Sequence, residues 1–115
     1  MLNKKFRKAL DHYIEMMDLG PEECPIILDN HYYDNSIIGI TNDNRLVYDY
    51  DKMIREFARD EGCDEIEAQE WVDYNTMRAI PYMGEMRPII LQANRREIFQ
   101  HAFDEGIFDE TEGDE

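Results

Sequence analysis

The sequence predicts an α+β domain with a small antiparallel or mixed sheet of three to four strands, a central β-hairpin and about four packed helices. Three observations indicate this class. Apolar residues recur every three or four positions in several segments, which is typical of amphipathic helices. Two short strand-like segments flank Asn42, Asp43 and Asn44, residue types that favour a turn. The 115 residues are 43% hydrophobic, which is enough for one core.

The first half of the chain predicts a helix, a short strand and the hairpin. The helix covers residues 2–18 and ends before Gly20 and Pro21. Residues 26–28 are an apolar run that favours a strand, and residues 30–35 favour a loop. The hairpin pairs residues 36–41 with residues 45–50, and Gly39 indicates a bulge. The apolar face of the helix consists of Leu2, Phe6, Leu10, Tyr13, Ile14 and Met17.

The second half predicts two consecutive helices, a strand and a last helix. Asp51 is the expected N-cap of the first helix, and Gly62 is its expected end. Asp64 is the expected N-cap of the second, which runs to about residue 77. Residues 88–91 favour a strand. The side chains expected to face the core from the three helices are Met53, Ile54, Phe57 and Ala58, then Ile66, Ala68, Trp71, Val72 and Tyr74, then Ile98, Phe99, Ala102 and Phe103.

Domain organisation follows from where the apolar residues end. We expect a single α+β domain at residues 1–103 and a flexible acidic tail at residues 104–115, which hold seven acids and no base. No apolar run approaches the roughly 18 residues that a bilayer crossing needs, so we expect no membrane association. Two cysteines, Cys24 and Cys63, do not make a disulfide framework. These features predict a cytoplasmic protein.

Charge is the strongest compositional signal. The chain has 12 Lys and Arg against 27 Asp and Glu, a net charge of −15, which argues against direct nucleic-acid binding. Four basic residues lie within positions 1–9, so the start of the chain is positively charged while the rest is strongly negative. Self-association of this basic segment with an acidic patch of another copy is left open by the sequence.

No motif for catalysis, a cofactor or a metal stands out. His12, His31 and His101 are not spaced like metal ligands. Cys24 and Cys63 have acidic neighbours, which disfavour the thiolate that nucleophilic catalysis requires. Close carboxylate pairs are abundant by chance, and a glycosidase-type pair would need a cleft. We therefore expect no enzymatic activity, no cofactor and no metal.

Negative charge is concentrated in the predicted helices of the second half. Acids at positions 64, 67, 70 and 73 repeat every third residue, so on a helix they form a spiral of carboxylates. Such a surface can compete with phosphates for a basic channel, although a charged helix face often serves solubility alone. A cluster of aromatic and methionine residues is a candidate apolar anchor of a protein interface, and its members are Trp71, Tyr74, Tyr82 and Met83. The periodicity favours the core for Trp71, whereas Tyr82 and Met83 lie in a predicted loop. The expected partner-binding residues are Glu56, Asp60, Glu61, Asp64, Glu65, Glu67, Glu70, Asp73, Tyr82 and Met83.

Five segments between about residues 26 and 91 form a recognisable pattern, and they are Ser36–Ile40, Arg45–Ile54, Glu70–Thr76, Pro81–Gly84 and Pro88–Ile90. This pattern resembles a family of small proteins of phages and mobile elements. The resemblance implies a small phage or prophage product, a class that includes inhibitors of host defence, and it carries over no catalytic residue. It also implies that the protein acts in a bacterial host cell.

Charge and resemblance together predict a stoichiometric inhibitor of a bacterial defence nuclease, such as a CRISPR effector or a restriction enzyme. Such enzymes hold nucleic acid in a positively charged channel, which an acidic protein can occupy by nucleic-acid mimicry. The alternative is a non-catalytic regulatory or scaffolding module whose negative charge only solubilises it. Affinity that depends little on ionic strength would favour that alternative.

Overall fold

The computed structural model describes residues 4–28 and 31–108 and confirms the α+β class. Short 3-10 helices cover His31–Ser36 and Ile80–Tyr82, and a π-helical segment, Val72–Met77, continues from the third α-helix. Within the described residues the α-helices and strands are α1 (Lys4–Met16), β1 (Ile37–Ile40), β2 (Leu46–Asp49), α2 (Tyr50–Glu61), α3 (Glu65–Trp71), β3 (Ile89–Leu91) and α4 (Arg95–Asp104).

The three strands form one mixed sheet in the order β1-β2-β3. β1 and β2 pair antiparallel, which confirms the predicted hairpin. Their register shifts between Ile37 and Gly39, and this irregularity is the bulge expected at the glycine. β3 pairs parallel with β2, with Tyr48 opposite Ile90. A parallel pair needs a long crossover connection, and α2 and α3 lie in that connection.

Asp49 caps the N-terminus of α2, so the prediction of Asp51 as the cap was wrong. The Asp49 side chain accepts a hydrogen bond from Lys52 N–H at 3.1 Å. Asp49 has the extended backbone of an N-cap, with φ −91° and ψ 117°, whereas Asp51 already lies in the first helical turn. An acid in that turn still interacts favourably with the helix dipole.

The turn between α2 and α3 follows its predicted signals. Gly62 ends α2 in the left-handed conformation, with φ 70°. Asp64 caps α3 by accepting a hydrogen bond from Glu67 N–H at 2.8 Å. These two residues bring α3 back next to α2 after a turn of three residues, and this geometry forms the site described below.

The core lies between α2, the hairpin and the 3-10 helix His31–Ser36. The described part of the loop expected at residues 30–35 lies in this 3-10 helix, which contributes to the core because Tyr33 is 1% exposed. The buried hydrophobic residues are Leu28, Tyr33, Leu46, Tyr48, Tyr50, Met53, Ile54, Phe57, Ala58, Ala68, Val72 and Ile80.

A bidentate ion pair connects α1 to this core. Arg7 Nε and Nη2 each donate a hydrogen bond of 2.8 Å to the Asp34 carboxylate, which is 2% exposed. Arg7 Nη2 also donates to the Leu28 carbonyl at 3.4 Å. One of the basic residues near the start of the chain is therefore used inside the fold, where it pairs with a buried acid.

Residues 26–28 lie outside the sheet, which corrects the strand expected there. Leu28 N–H donates to the Tyr48 hydroxyl at 2.9 Å instead of to a strand carbonyl. Pro25, directly before the run, has no N–H for a sheet ladder. The apolar run is still used, because Leu28 is buried and Ile27 packs against the core.

The predicted buried faces of α3 and α4 were partly wrong. Ala68 and Val72 are buried, but Ile66 is 72% exposed, since residues two positions apart lie on opposite sides of a helix. Tyr74 is 68% exposed and lies in the π-helical segment. No residue of α4 is buried, and Ile98 and Phe103 are mostly exposed. A periodic apolar pattern thus predicted each helix without showing how much of it the core covers.

Candidate functional site

The turn at Gly62 places α2 and α3 around an open groove of about 530 Å³, which we call the acidic groove. Phe57 and Glu61 come from α2, and Cys63 comes from the turn. The remaining lining residues come from α3 and the π-helical segment. The groove is lined by Phe57, Glu61, Cys63, Glu67, Glu70, Trp71, Tyr74 and Asn75.

The floor of the acidic groove is an aromatic stack. The rings of Phe57 and Trp71 have centroids 4.6 Å apart and an interplanar angle of 23°. Phe57 is buried, whereas Trp71 is 42% exposed, so the core holds one side of the stack and the groove exposes the other. The expectation that Trp71 belongs to the core therefore holds only for the face that contacts Phe57. An exposed tryptophan held in this way is typical of binding surfaces.

Tyr74 extends this aromatic surface. It lies three residues after Trp71 and is 68% exposed. The Arg78 guanidinium lies over the Tyr74 ring, 4.7 Å from the centroid. The chain thus already contains one example of the cation–aromatic contact that this surface favours.

Three glutamates, Glu61, Glu67 and Glu70, form the rim of the acidic groove, and all three are exposed. Glu67 and Glu70 are three residues apart on α3, so their backbone positions differ by about 4.5 Å along the helix axis. Desolvation raises the pKa of the Cys63 thiol, and the charges of Glu67, Asp64 and Glu61 raise it further. The thiol therefore stays protonated at neutral pH, which does not favour nucleophilic catalysis.

Several of the predicted acids have partners within the described part of the fold. Arg59 pairs with Glu56 and with Asp60. Asp64 caps α3, and the Tyr50 hydroxyl donates to the Asp73 carboxylate. Burial and the hydrogen bond to this carboxylate raise the pKa of Tyr50 to about 12. These carboxylates lie near the acidic groove, but their contacts serve local structure.

The other predicted partner-binding residues lie outside the acidic groove. Glu65 lines a separate cavity of about 360 Å³ together with Asp51 and Arg55. Tyr82 is 90% exposed, whereas Met83 is partly buried against the core. Of the ten predicted residues, only Glu61, Glu67 and Glu70 line the groove.

Sequence reasoning left the aromatic component of the acidic groove out of the expected partner-binding residues. Phe57 was assigned only to the core, and Trp71 and Tyr74 were expected to face inward. Trp71 lies four residues after Glu67, and Tyr74 lies four residues after Glu70, so one helical surface holds both the acids and the rings. That spacing was the available signal.

The acidic groove offers carboxylates and aromatic faces, which together bind cations. A guanidinium can stack on an indole ring while it donates to a carboxylate, so an arginine side chain matches both features. Within the described part of the chain, no group of three His, Cys, Asp or Glu side chains is arranged to hold a metal ion. Cys24 and Cys63 are both free thiols.

Among residues 4–28 and 31–108, none of the helices has the length and apolar character to cross a membrane. Comparisons with protein-family models, with curated proteins and with solved structures find no match for the chain.

Proposed function

We propose that this chain is a non-catalytic inhibitor that binds a nucleic-acid-handling protein of a bacterial cell through the acidic groove. The expected target class is a defence nuclease, either a CRISPR effector or a restriction enzyme. The observation that carries this proposal is the arrangement of Glu61, Glu67 and Glu70 around the half-exposed Trp71. No cofactor or turnover is needed for this mode of action.

Electrostatic complementarity supports this target class. Nucleases bind phosphates with arginine and lysine side chains, and the same side chains attract carboxylates. With a net charge of −15, the chain is drawn towards a basic channel over a distance set by ionic strength. The exposed Trp71 ring then adds a contact that a phosphate lacks, since an arginine can stack on it.

The carboxylates of the acidic groove imitate a few phosphates and do not reproduce the regular phosphate spacing of a duplex. Duplex DNA carries one charge per roughly 1.7 Å of axis, whereas Glu67 and Glu70 are separated by about 4.5 Å along α3. Asp64 and Asp73 extend the spiral at both ends, but each of them accepts a hydrogen bond within the fold. We therefore expect the groove to replace a few phosphates at one basic site.

A matched pair of variants tests the proposal. Glu67→Lys combined with Glu70→Lys reverses the charge of the rim, while Glu22→Lys combined with Glu85→Lys makes the same change at exposed positions outside the groove. DNA cleavage by a panel of purified CRISPR effectors and restriction enzymes is measured with each protein in excess. We expect the wild-type chain and the control to inhibit at least one enzyme, and the rim variant to lose about tenfold or more in potency.

Equal inhibition by the two double variants, or no inhibition of any enzyme in the panel, would contradict the proposal. Trp71 provides an independent readout because it is the only tryptophan of the chain. Binding to the inhibited enzyme should shift the fluorescence of Trp71, and this shift should be absent for the rim variant.

A regulatory or scaffolding module is the second candidate. It is favoured by the acids that already have partners in the fold, Glu56, Asp60, Asp64 and Asp73, because these charges have a local use. Such a module would bind its partner with an affinity that changes little between low and high salt. The inhibitor should instead lose affinity steeply as salt rises.

A further inference from the structure

Helix α4 packs only loosely against the rest of the described structure. None of its ten residues is buried. Its apolar side chains remain accessible, with Ile98 60% and Phe103 64% exposed, and Ile107 just beyond it 66% exposed. A helix of this length is marginal in water by itself, because most helical stability comes from packing of an apolar face. The exposed face of α4 therefore lacks the contacts that such a helix normally has.

The charges of α4 are arranged against its own dipole. Arg95 and Arg96 occupy the first turn, and Asp104 and Glu105 lie at the C-terminal end. A helix is stabilised by acids at its N-terminus and by bases at its C-terminus, so these terminal charges oppose that preference. Two residues follow the preference instead: Glu97 in the first turn, which forms a capping box with Asn94, and His101 in the last turn. The charge order is thus not explained by the stability of an isolated helix.

This charge order is complementary to itself when two helices run antiparallel. We propose that α4 is the surface through which two copies of this chain associate, with the two helices antiparallel about a two-fold axis. The basic start of each helix then lies beside the acidic end of the other, and the two exposed apolar faces cover each other. The partner is a second copy because the acidic C-terminal end of α4 complements the basic N-terminal end of an identical, antiparallel helix.

Helical geometry identifies the pair of charges that meet. Successive residues turn by about 100°, which places Arg95 in the middle of the face formed by Ile98, Phe99, Ala102 and Phe103. The Arg95 guanidinium lies over the Phe99 ring at 5.0 Å from the centroid, which holds it on that face. Glu105 lies at the edge of the same face, whereas Asp104 lies on the opposite side. Arg95 of one copy should therefore meet Glu105 of the other.

The segment after α4 enlarges the apolar face. The Phe108 ring lies 6.0 Å from Phe99 and 5.1 Å from Phe103, measured between centroids. This aromatic cluster holds the segment against the helix. A face of this size is smaller than a standard protein interface, so we expect a weak dimer.

Sedimentation velocity of the full chain, from about 1 μM to about 1 mM, tests the association. We expect a monomer–dimer equilibrium that Phe103→Glu weakens about tenfold or more. Ile66→Glu is the matched control, since Ile66 is an exposed apolar residue on α3 and its change should leave the equilibrium unaltered. Far-UV circular dichroism verifies that both variants keep the fold.

A charge swap tests the antiparallel arrangement. Arg95→Glu and Glu105→Arg should each weaken the dimer, and the double variant should restore it. Both single changes improve the match between charge and helix dipole, so weaker association cannot be attributed to loss of the helix. Asp104→Arg makes the same change in charge as Glu105→Arg on the far side of α4, and it should have little effect.

Three results would overturn the proposal. The first is a wild-type chain that stays monomeric over the whole concentration range. The second is a dimer that is insensitive to Phe103→Glu, which would favour another contact, such as the basic start of α1 against the acidic groove of another copy. The third is a double charge variant that associates no better than the single variants.

Discussion

Tyr48 stabilises the core through both its ring and its hydroxyl. It is fully buried on β2, and its hydroxyl accepts the hydrogen bond of Leu28 N–H. Burial raises the pKa of Tyr48 to about 12, although the hydrogen bond from Leu28 opposes this effect. A buried polar group is tolerated here because it satisfies a backbone donor that has no sheet partner.

Replacing Tyr48 with Phe should lower the free energy of unfolding by about 1–3 kcal/mol, because Leu28 N–H loses its acceptor. Because the pKa of Tyr48 is raised in the folded state, the protonated phenol favours folding. This contribution to the free energy of unfolding is present below pH 10 and is lost as the pH rises towards 12. Between pH 10 and pH 12, Tyr48→Phe should therefore lose less stability than the wild-type chain. Urea denaturation at several pH values measures both effects.

Tyr82→Phe is the control for this prediction. Tyr82 is 90% exposed, so loss of its hydroxyl should leave stability unchanged. Equal stability of Tyr48→Phe and the wild-type chain would contradict the role assigned to the Tyr48 hydroxyl.

At the scale of elements, α4 is linked to the start of α2 by two carboxyl groups. A hydrogen bond with Glu97, followed by desolvation and the charge of Glu97, raises the pKa of Asp51. The pKa of Glu97 is lowered, first by the Asn94 backbone N–H and then by Asp51. The nearby charges are Asp49 and Arg55 beside Asp51, with Arg55 and His101 beside Glu97. The pair is thus favourable when Asp51 holds a proton, and repulsive when both groups are ionised.

Asp51→Asn should strengthen the contact of α4 with the domain at neutral pH, because an amide donates to Glu97 without a charge. The stabilising effect of the Asp51 proton is present at low pH and is lost as the pH rises through its raised pKa. The advantage of the variant should therefore be largest near pH 7 and shrink as the pH falls. Protection of the α4 amides from hydrogen exchange, compared with the wild-type chain at each pH, reports this difference.

Asp11→Asn removes one negative charge from an exposed position on α1 and is the matched control. It should leave the protection of α4 unchanged. A gain in protection that is independent of pH would show that the repulsion between Asp51 and Glu97 is not the cause.

At the scale of the molecule, the structure is more extended than a compact domain, and its net charge is repulsive. The radius of gyration is 16.9 Å, and the dimensions are 52 × 36 × 27 Å. A compact domain of this length has a radius of gyration of about 13 Å. Exposed terminal helices account for part of this extension, because no residue of α4 is buried and α1 is mostly half-buried or exposed. The net charge of −15 adds self-repulsion.

Stability should consequently rise when salt screens this repulsion. Raising NaCl from about 10 mM to about 150 mM shortens the screening length from about 30 Å to about 8 Å, so we expect a higher Tm at the higher salt. The Glu67→Lys and Glu70→Lys double variant should show a smaller increase than the Glu22→Lys and Glu85→Lys control, because the acidic groove concentrates the repulsion. A Tm that falls with salt would contradict this prediction.

The local elements of the fold were predictable from sequence. The hairpin, its bulge at Gly39, the helix end at Gly62 and the cap at Asp64 were all expected, and all were confirmed. Each of these features depends on residues within a few positions of one another, through turn dihedrals and helix caps. Of the candidate site, the same local reasoning found the glutamates of the acidic groove, because their spacing on one helix is a local property.

Tertiary structure decided which helix faces are covered and what the acids contact. Trp71 became a half-exposed groove residue because Phe57, fourteen positions earlier, stacks against it. Residues 26–28 lie outside the sheet, and the Leu28 N–H donates to the hydroxyl of Tyr48, twenty positions away. The sequence by itself determined the helices, the hairpin and the net negative charge. Burial and the choice of partners depend on contacts between distant segments, which form only when the whole chain has packed.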